Sequence, residues 1–288
     1  MKFSILIPVI KTAFLDQCVQ SVLSQTFSDF EIIIVDDCSP DNVQDCLQPI
    51  KDPRLKYFRT PTNLGAKDPT ATWNFALQKS TGDYVVLLGD DDFLSTNYLA
   101  EMNELTVLYP EASIFRSRLV LTDAHGFPFL FGNSLPTTET WDEMLYYRVM
   151  FGSSSRCQSS SEMCVKHASL LQIGGYVPMP LAMGSDDLTW LQLSLTHPVI
   201  STNKAFAYWR RHKNSLSTFS IPPHSFYAAM ALLYHQLLDI LLHHEPKVIP
   251  KPLLLTLLQT KVKTFNFAKK WPPIIIFALG KIKARFSS

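Results

Sequence analysis

Asp90, Asp91 and Asp92 stand side by side at the end of an apolar run, Tyr84 to Leu88, which is bounded by Gly82 and Gly89. Three adjacent carboxylates repel one another, so a packed chain needs a reason to hold them there. A hard divalent cation such as Mg²⁺ or Mn²⁺ supplies one, because it takes oxygen ligands and shares its sites with phosphates. Helix capping supplies another, with Asp92 near the free amides that open the next helix. A second pair, Asp36 and Asp37, follows the apolar run Glu31 to Val35. A third, Asp186 and Asp187, precedes the apolar stretch Leu188 to Leu193. There the alternatives are an N-cap, with Ser185 or Asp186 bonding free amides, and a general base at the start of a helix. The cluster Arg210-Arg211-His212-Lys213 suits an anionic diphosphate or, equally, a solvated basic loop.

The elements that must position these groups alternate along the chain. Phe3 to Pro8, Glu31 to Val35, Leu55 to Phe58 and Tyr84 to Leu88 read as buried strands. Between them, residues 11 to 25, 42 to 50 and 70 to 79 read as helices. That alternation predicts a mostly parallel sheet with helices on its faces. Ligands of such sheets bind at the carboxyl ends of the strands. Pro8-Val9, Asp36-Asp37, Asn63-Leu64-Gly65 and Asp90-Asp91-Asp92 each fall at such an end. Acids converging from two strands on one edge point to a nucleotide and a metal. No G-x-G-x-x-G follows the first strand and no P-loop is present, which disfavours dinucleotide enzymes and P-loop phosphotransferases. Further on, helices are expected over 95 to 108, 139 to 151 and 168 to 173, a hairpin over 112 to 131, and a strand over 205 to 209.

At 47% apolar and 18% charged residues the 288-residue chain has ample material for a core. A net charge of +1 gives no argument for nucleic-acid binding. Five cysteines without metal-ligand spacing read as free thiols of a reducing compartment. Pro8 interrupts the first apolar run, which reads as a strand and not a signal peptide. No apolar run reaches the roughly 20 residues of a membrane span. From Pro246 onward there are nine basic residues and no acid. Apolar stretches interleaved with lysine suit helices lying on an anionic membrane; a basic helical cap on the catalytic part is the other reading. A catalytic domain over 1–220 and a helical extension over 221–288 are therefore expected.

Taken in order, these segments resemble the family 2 glycosyltransferases, inverting enzymes of the GT-A fold. Ser4 to Pro8 resembles the family's opening strand, and Val35-Asp36-Asp37-Cys38-Ser39-Pro40-Asp41 its V-D-D-x-S-x-D segment. Leu88 to Asp92 stands where the family carries D-x-D. Gly174-Gly175-Tyr176, Ser185 to Leu191 and Tyr208 to Ser217 resemble its later elements. Departures are Trp73 where an arginine is usual, which leaves Lys67 as a substitute contact, Ser185 in place of glutamate, and Gly89 at the first position of D-x-D. The resemblance implies that Pro8, Val9, Asp36, Asp37, Asn63 and Gly65 surround the base and ribose of a nucleotide-sugar. It implies that Asp90 faces the ribose and the metal, that Asp91 ligates Mg²⁺ or Mn²⁺ with Asp92 as the alternative, and that Arg210 and His212 lie near the diphosphate. Asp186 is then the general base, with Asp187 as its competitor. The expected activity is sugar transfer from a nucleotide-diphospho-sugar to a saccharide or lipid-linked saccharide, on the cytosolic face of a membrane. A sugar nucleotidyltransferase and an inactive glycan-binding module are the rival readings.

Overall fold

The computed structural model describes residues 2–66, 68–151, 159–213, 215 and 223–268. The parallel half of the sheet is built from β1 (Phe3–Val9), β2 (Phe30–Asp36), β3 (Leu55–Arg59) and β4 (Tyr84–Leu87). Their order is β3-β2-β1-β4, and every adjacent pair runs parallel. β2 is buried along its whole length and β1 along nearly all of it. This is why they read as continuous apolar runs without alternation. The helices α1 (Leu15–Leu23), α2 (Val43–Leu47) and α3 (Thr70–Lys79) make the crossovers.

The sheet continues beyond β4 through β9 (Met163–Lys166), β6 (Ile114–Thr122), β10 (Val199–Arg210) and β5 (Phe93–Leu94). β9 is antiparallel to both β4 and β6, while β6 and β10 run parallel. β7 (Pro128–Phe131) pairs antiparallel with β6 and completes the expected hairpin. β8 (Thr138–Glu139) pairs with β10. The sheet is thus mixed but mostly parallel on the side that carries the acids.

α1 begins four residues later than the pattern of residues 11 to 25 suggests, because the turn before it is used otherwise. There the Ile10 and Lys11 amides donate to Asp90 (3.0 and 3.2 Å) and the Thr12 amide donates to Asp41 (2.9 Å). α4 (Tyr98–Leu108), α5 (Trp141–Phe151), α6 (His167–Gln172) and α7 (Ser185–Ser194) follow the sequence pattern closely.

α8 (Pro223–His243) and α9 (Lys251–Ala268) are the described part of the basic extension. They share one apolar core with α5 and α7, made of Trp141, Leu145, Val149, Leu188, Leu191, Leu233, Leu237, Leu241, Leu254 and Leu258. Asp142 of α5 fastens the turn between them, accepting from the Val248 and Ile249 amides at 2.6 and 2.7 Å. In packing terms residues 223–268 continue the domain expected over 1–220. The sequence reading found no membrane-spanning run, yet Ser225–His243 is long and apolar enough for one by length and composition, with a mean hydropathy of 1.3. Its Leu233, Leu237 and Leu241 are buried in that core. The basic stretch beyond 268, and with it most of the expected membrane-contacting tail, lies outside the described residues.

Candidate active site

The candidate site residues fall into three clusters. In the first, Asp36 and Asp37 at the end of β2 are buried and internally bonded. Asp36 accepts from the Tyr57 hydroxyl (2.6 Å) and the Ser39 amide (2.8 Å) and pairs with Arg59. Asp37 accepts from the Leu64 and Gly65 amides (2.8 and 2.7 Å) and from the Thr60 and Thr72 hydroxyls (2.9 and 2.6 Å). It therefore folds the Asn63-Leu64-Gly65 turn against β2. A Cβ on Gly65 would lie 2.9 Å from the Asp37 carboxylate, so only glycine permits this approach. Asn63 is exposed. Val9 is buried, and its carbonyl accepts from the Asp37 amide at 2.9 Å, which locks the ends of β1 and β2 together. Lys67 lies outside the described residues.

The second cluster holds the three acids. Asp92 is buried; its carboxylate accepts from the Ser161 hydroxyl (2.5 Å) and the Arg210 amide (3.0 Å). Burial and the neighbouring Asp91 push its proton affinity well up. Asp90 holds the turn after β1 through the Ile10 and Lys11 amides, and desolvation followed by Asp91 raises its pKa to about 7. Asp91 is partly open: its side chain is 24% exposed, and its carboxylate lies 2.8 Å from Nε2 of His212. A Cβ on Gly89 would come within 3.0 Å of Asp91 and 3.2 Å of Asp92. The glycine that stands at the first D-x-D position is thus what lets the acids fold back over it.

Arg210 lies beneath these acids and not at the surface. It is 1% exposed; its guanidinium donates to the Asp91 carbonyl (2.7 Å), the Ala124 carbonyl (2.9 Å) and Gln17 (2.5 Å). The Phe14 and Phe93 rings lie 4.4 and 5.2 Å away. Its donors are spent on shaping the acid turn, which differs from the diphosphate contact read from the sequence. His212 is mostly buried and packs against Phe14, with ring centroids 4.8 Å apart. Gln17 and Phe14 are parts of this cluster that the sequence reading missed; Phe14 shows in sequence only as an apolar helix position.

Among the described residues no three His, Cys, Asp or Glu side chains converge on a single point. The donor set still suits a hard or borderline cation. The Asp91 carboxylate and the His212 imidazole nitrogen, at hydrogen-bonding distance from each other, could offer one oxygen and one nitrogen ligand. Mg²⁺ and Mn²⁺ commonly complete such a set with substrate phosphates and water.

The third cluster opens α7. Gly184 precedes the helix with φ +79°, and a Cβ there would collide with Leu233 of α8 at 2.6 Å. The N-cap residue is Gly184, which has no side chain to cap the helix; of the two candidates, Asp186 bonds one first-turn amide, that of Asp187. Ser185 instead donates to the Val177 carbonyl (2.5 Å). Asp187 is paired with Arg148 of α5 at 2.6 Å, both largely buried. Asp186 accepts the Asp187 amide (3.0 Å), and desolvation followed by Asp187 raises its pKa to about 7. A carboxylate with that pKa is suited to take a proton near neutral pH. Asn74 of α3 ties this region to the first cluster, exchanging bonds with the Tyr176 amide and carbonyl (2.8 and 2.9 Å).

Residues 4–112 match the family model described as Glycosyl transferase family 2. This part of the chain is similar to the family 2 glycosyltransferases. A curated relative, an uncharacterized glycosyltransferase of Haemophilus influenzae, is 32% identical over 154 residues, 52% of this chain and 57% of its own. The poly(ribitol-phosphate) beta-N-acetylglucosaminyltransferase TarS of Staphylococcus aureus is 23% identical over 83% of this chain and 41% of its own. The chain thus spans about half the length of these curated relatives. The crystal structure of S. aureus TarS 1-349 with UDP-GlcNAc superposes at a TM-score of 0.69 with 19% identity, covering 92% of this chain and 73% of that one. The chain therefore has the expected GT-A fold, with C-terminal helices added.

Proposed function

We propose that the protein is a metal-dependent, inverting glycosyltransferase that moves a sugar from a nucleotide-diphospho-sugar to a saccharide or lipid-linked saccharide. The observation that carries this reading is the division of labour among the acids. Asp91 beside His212 is partly open just beyond β4, while among the described residues Asp186 stands outside the Arg148–Asp187 ion pair and has a pKa of about 7. UDP-sugars head the donors to test, since TarS binds UDP-GlcNAc in its crystal structure. The buried strand ends and the turn they brace, Pro8, Val9, Asp36, Asp37, Asn63 and Gly65, frame the nucleoside.

In the proposed reaction Asp186 accepts the proton of an acceptor hydroxyl. The hydroxyl oxygen bonds to the anomeric carbon from the side opposite the nucleotide. The bond from that carbon to the diphosphate breaks, and its electron pair leaves with the nucleoside diphosphate. Asp91 and His212, with Asp90 alongside, would hold Mg²⁺ or Mn²⁺, which when bound would supply positive charge against the charge gathering on the diphosphate. One carboxylate then suffices as base, and no separate acid is needed for the leaving group.

The test is transfer from a panel of nucleotide-sugars, with and without Mn²⁺, by wild type, Asp91→Asn and Asp186→Asn. Loss of at least about a hundredfold in either variant is expected, from the usual contribution of a general base or a metal ligand. Turnover that survives both changes, or that ignores chelation of the metal, refutes the assignment.

A further inference from the structure

We propose that Arg148 of α5 is a positioning residue that assigns the two adjacent acids of α7 their separate tasks, holding Asp187 as a fixed anion so that Asp186 alone takes up and releases the proton. The inference deepens the proposed function and rests on Asp186 being the base.

The geometry forms a chain of two contacts. Nε of Arg148 lies 2.6 Å from Asp187, and the Asp187 amide donates to Asp186 at 3.0 Å. Side chains of Arg148 and Asp187 are only 12% and 9% exposed, so water screens the pair little. The rest of the packing leaves these groups few alternatives. Gly184 is pressed against Leu233 of α8, which fixes the start of α7. Met144, Leu145, Leu191 and Leu237 surround the pair. The charged and titratable groups facing Asp186 and its neighbour come from three elements. α7 gives Asp187, α5 gives Arg148, and α8 gives the buried Tyr234 phenol, which faces Arg148 and Asp187.

Two carboxylates this close share protons as a pair unless something separates them. Asp187 raises the proton affinity of Asp186, and Arg148 lowers it. Removing Arg148 leaves Asp187 buried without its counter-charge, and both acids then compete for one proton. α8 and α9 enter the argument as the wall that keeps α5 against α7.

The experiment is the pH profile of kcat/KM for wild type, Arg148→Met, Arg148→Lys, Asp187→Asn and Asp186→Asn in the full chain. The acid limb of the wild type is expected near pH 7. Arg148→Met is expected to move it up, and Asp187→Asn down, each by about one pH unit. Arg148→Lys, which keeps the charge, is expected to restore most of the wild-type limb. A variant that only damages packing scales the whole profile and leaves the limb in place. That result in both Arg148→Met and Asp187→Asn overturns the proposal. If Arg148→Met does not fold, the Asp187→Asn limb decides alone. Transfer that persists in Asp186→Asn is a distinct failure, because it removes the base assignment itself.

Discussion

The raised proton affinity of Asp186 has a thermodynamic counterpart that can be measured without any substrate. Its folded-state pKa is about 7, against an ordinary value of 3.8, with desolvation the first cause and Asp187 the second. The folded state therefore holds the proton more tightly than the unfolded chain. Stability from this group is full below the unfolded pKa, falls as pH rises, and is lost once pH passes about 7. Asp186→Asn cannot ionise and escapes that loss. Between about pH 5 and pH 7 the difference grows over two pH units, each worth about 1.4 kcal/mol. Asp186→Asn is thus expected to gain about 2 to 3 kcal/mol more over wild type at about pH 8 than at about pH 5. Urea unfolding of both proteins at both pH values measures this, and titrations common to the two cancel in the comparison. The same substitution is expected to abolish transfer, which is the usual trade between stability and activity at a reactive group. A difference that stays flat with pH, or that reverses sign, refutes the burial argument for Asp186.

Two further outcomes follow from the other clusters. Asp37→Asn turns an amide toward donors that now meet a carboxylate, the Gly65 amide and the Thr72 hydroxyl among them. It is expected to cost about 3 kcal/mol in urea unfolding and to raise the KM for the nucleotide-sugar by loosening the Asn63-Leu64-Gly65 turn. His212→Ala removes the imidazole from Asp91; the Mn²⁺ concentration for half-maximal transfer is expected to rise at least about tenfold, with kcat at saturating Mn²⁺ affected less.

The legible parts of the fold are those with dense local signals. β1, β2 and β4 are buried on both faces, so each shows as an unbroken apolar run flanked by turn residues. β5 and β8 are two residues long and exist only through pairing with β10; no local pattern marks them. β10 runs from Val199 to Arg210, longer than the apolar stretch Ala205 to Trp209 suggests. Its first half carries the polar Ser201-Thr202-Asn203-Lys204 and is held by its partners instead of by its own propensity. Arg210 shows the same limit at the site. Its residue type in a basic cluster points to an anion, but its position is set by Gln17, Asp91 and Ala124, all far away in sequence. Arg148 sits mid-helix with no motif around it, and only the packing of α5 on α7 brings it to Asp187.

Why these acids occur as neighbours follows from counting what each carboxylate already accepts. Asp36, Asp37 and Asp92 are buried, and amides, hydroxyls or a guanidinium occupy them. Asp187 is held by Arg148. Recruiting any of these to a ligand or a proton would first break bonds worth about 1 to 3 kcal/mol each. Under the proposed reaction the remaining burden falls on Asp91 and Asp186, and each stands next to an acid that is already committed. The committed neighbour does two things for the reactive one. Its bonds fix the backbone that both share, as the Ser161 and Arg210 contacts of Asp92 do for Asp91. Its charge also raises the proton affinity next door, as Asp187 does for Asp186. A lone aspartate at either position would keep its chemistry but lose its placement and, at the base, part of the shift that brings its pKa to the pH where it works.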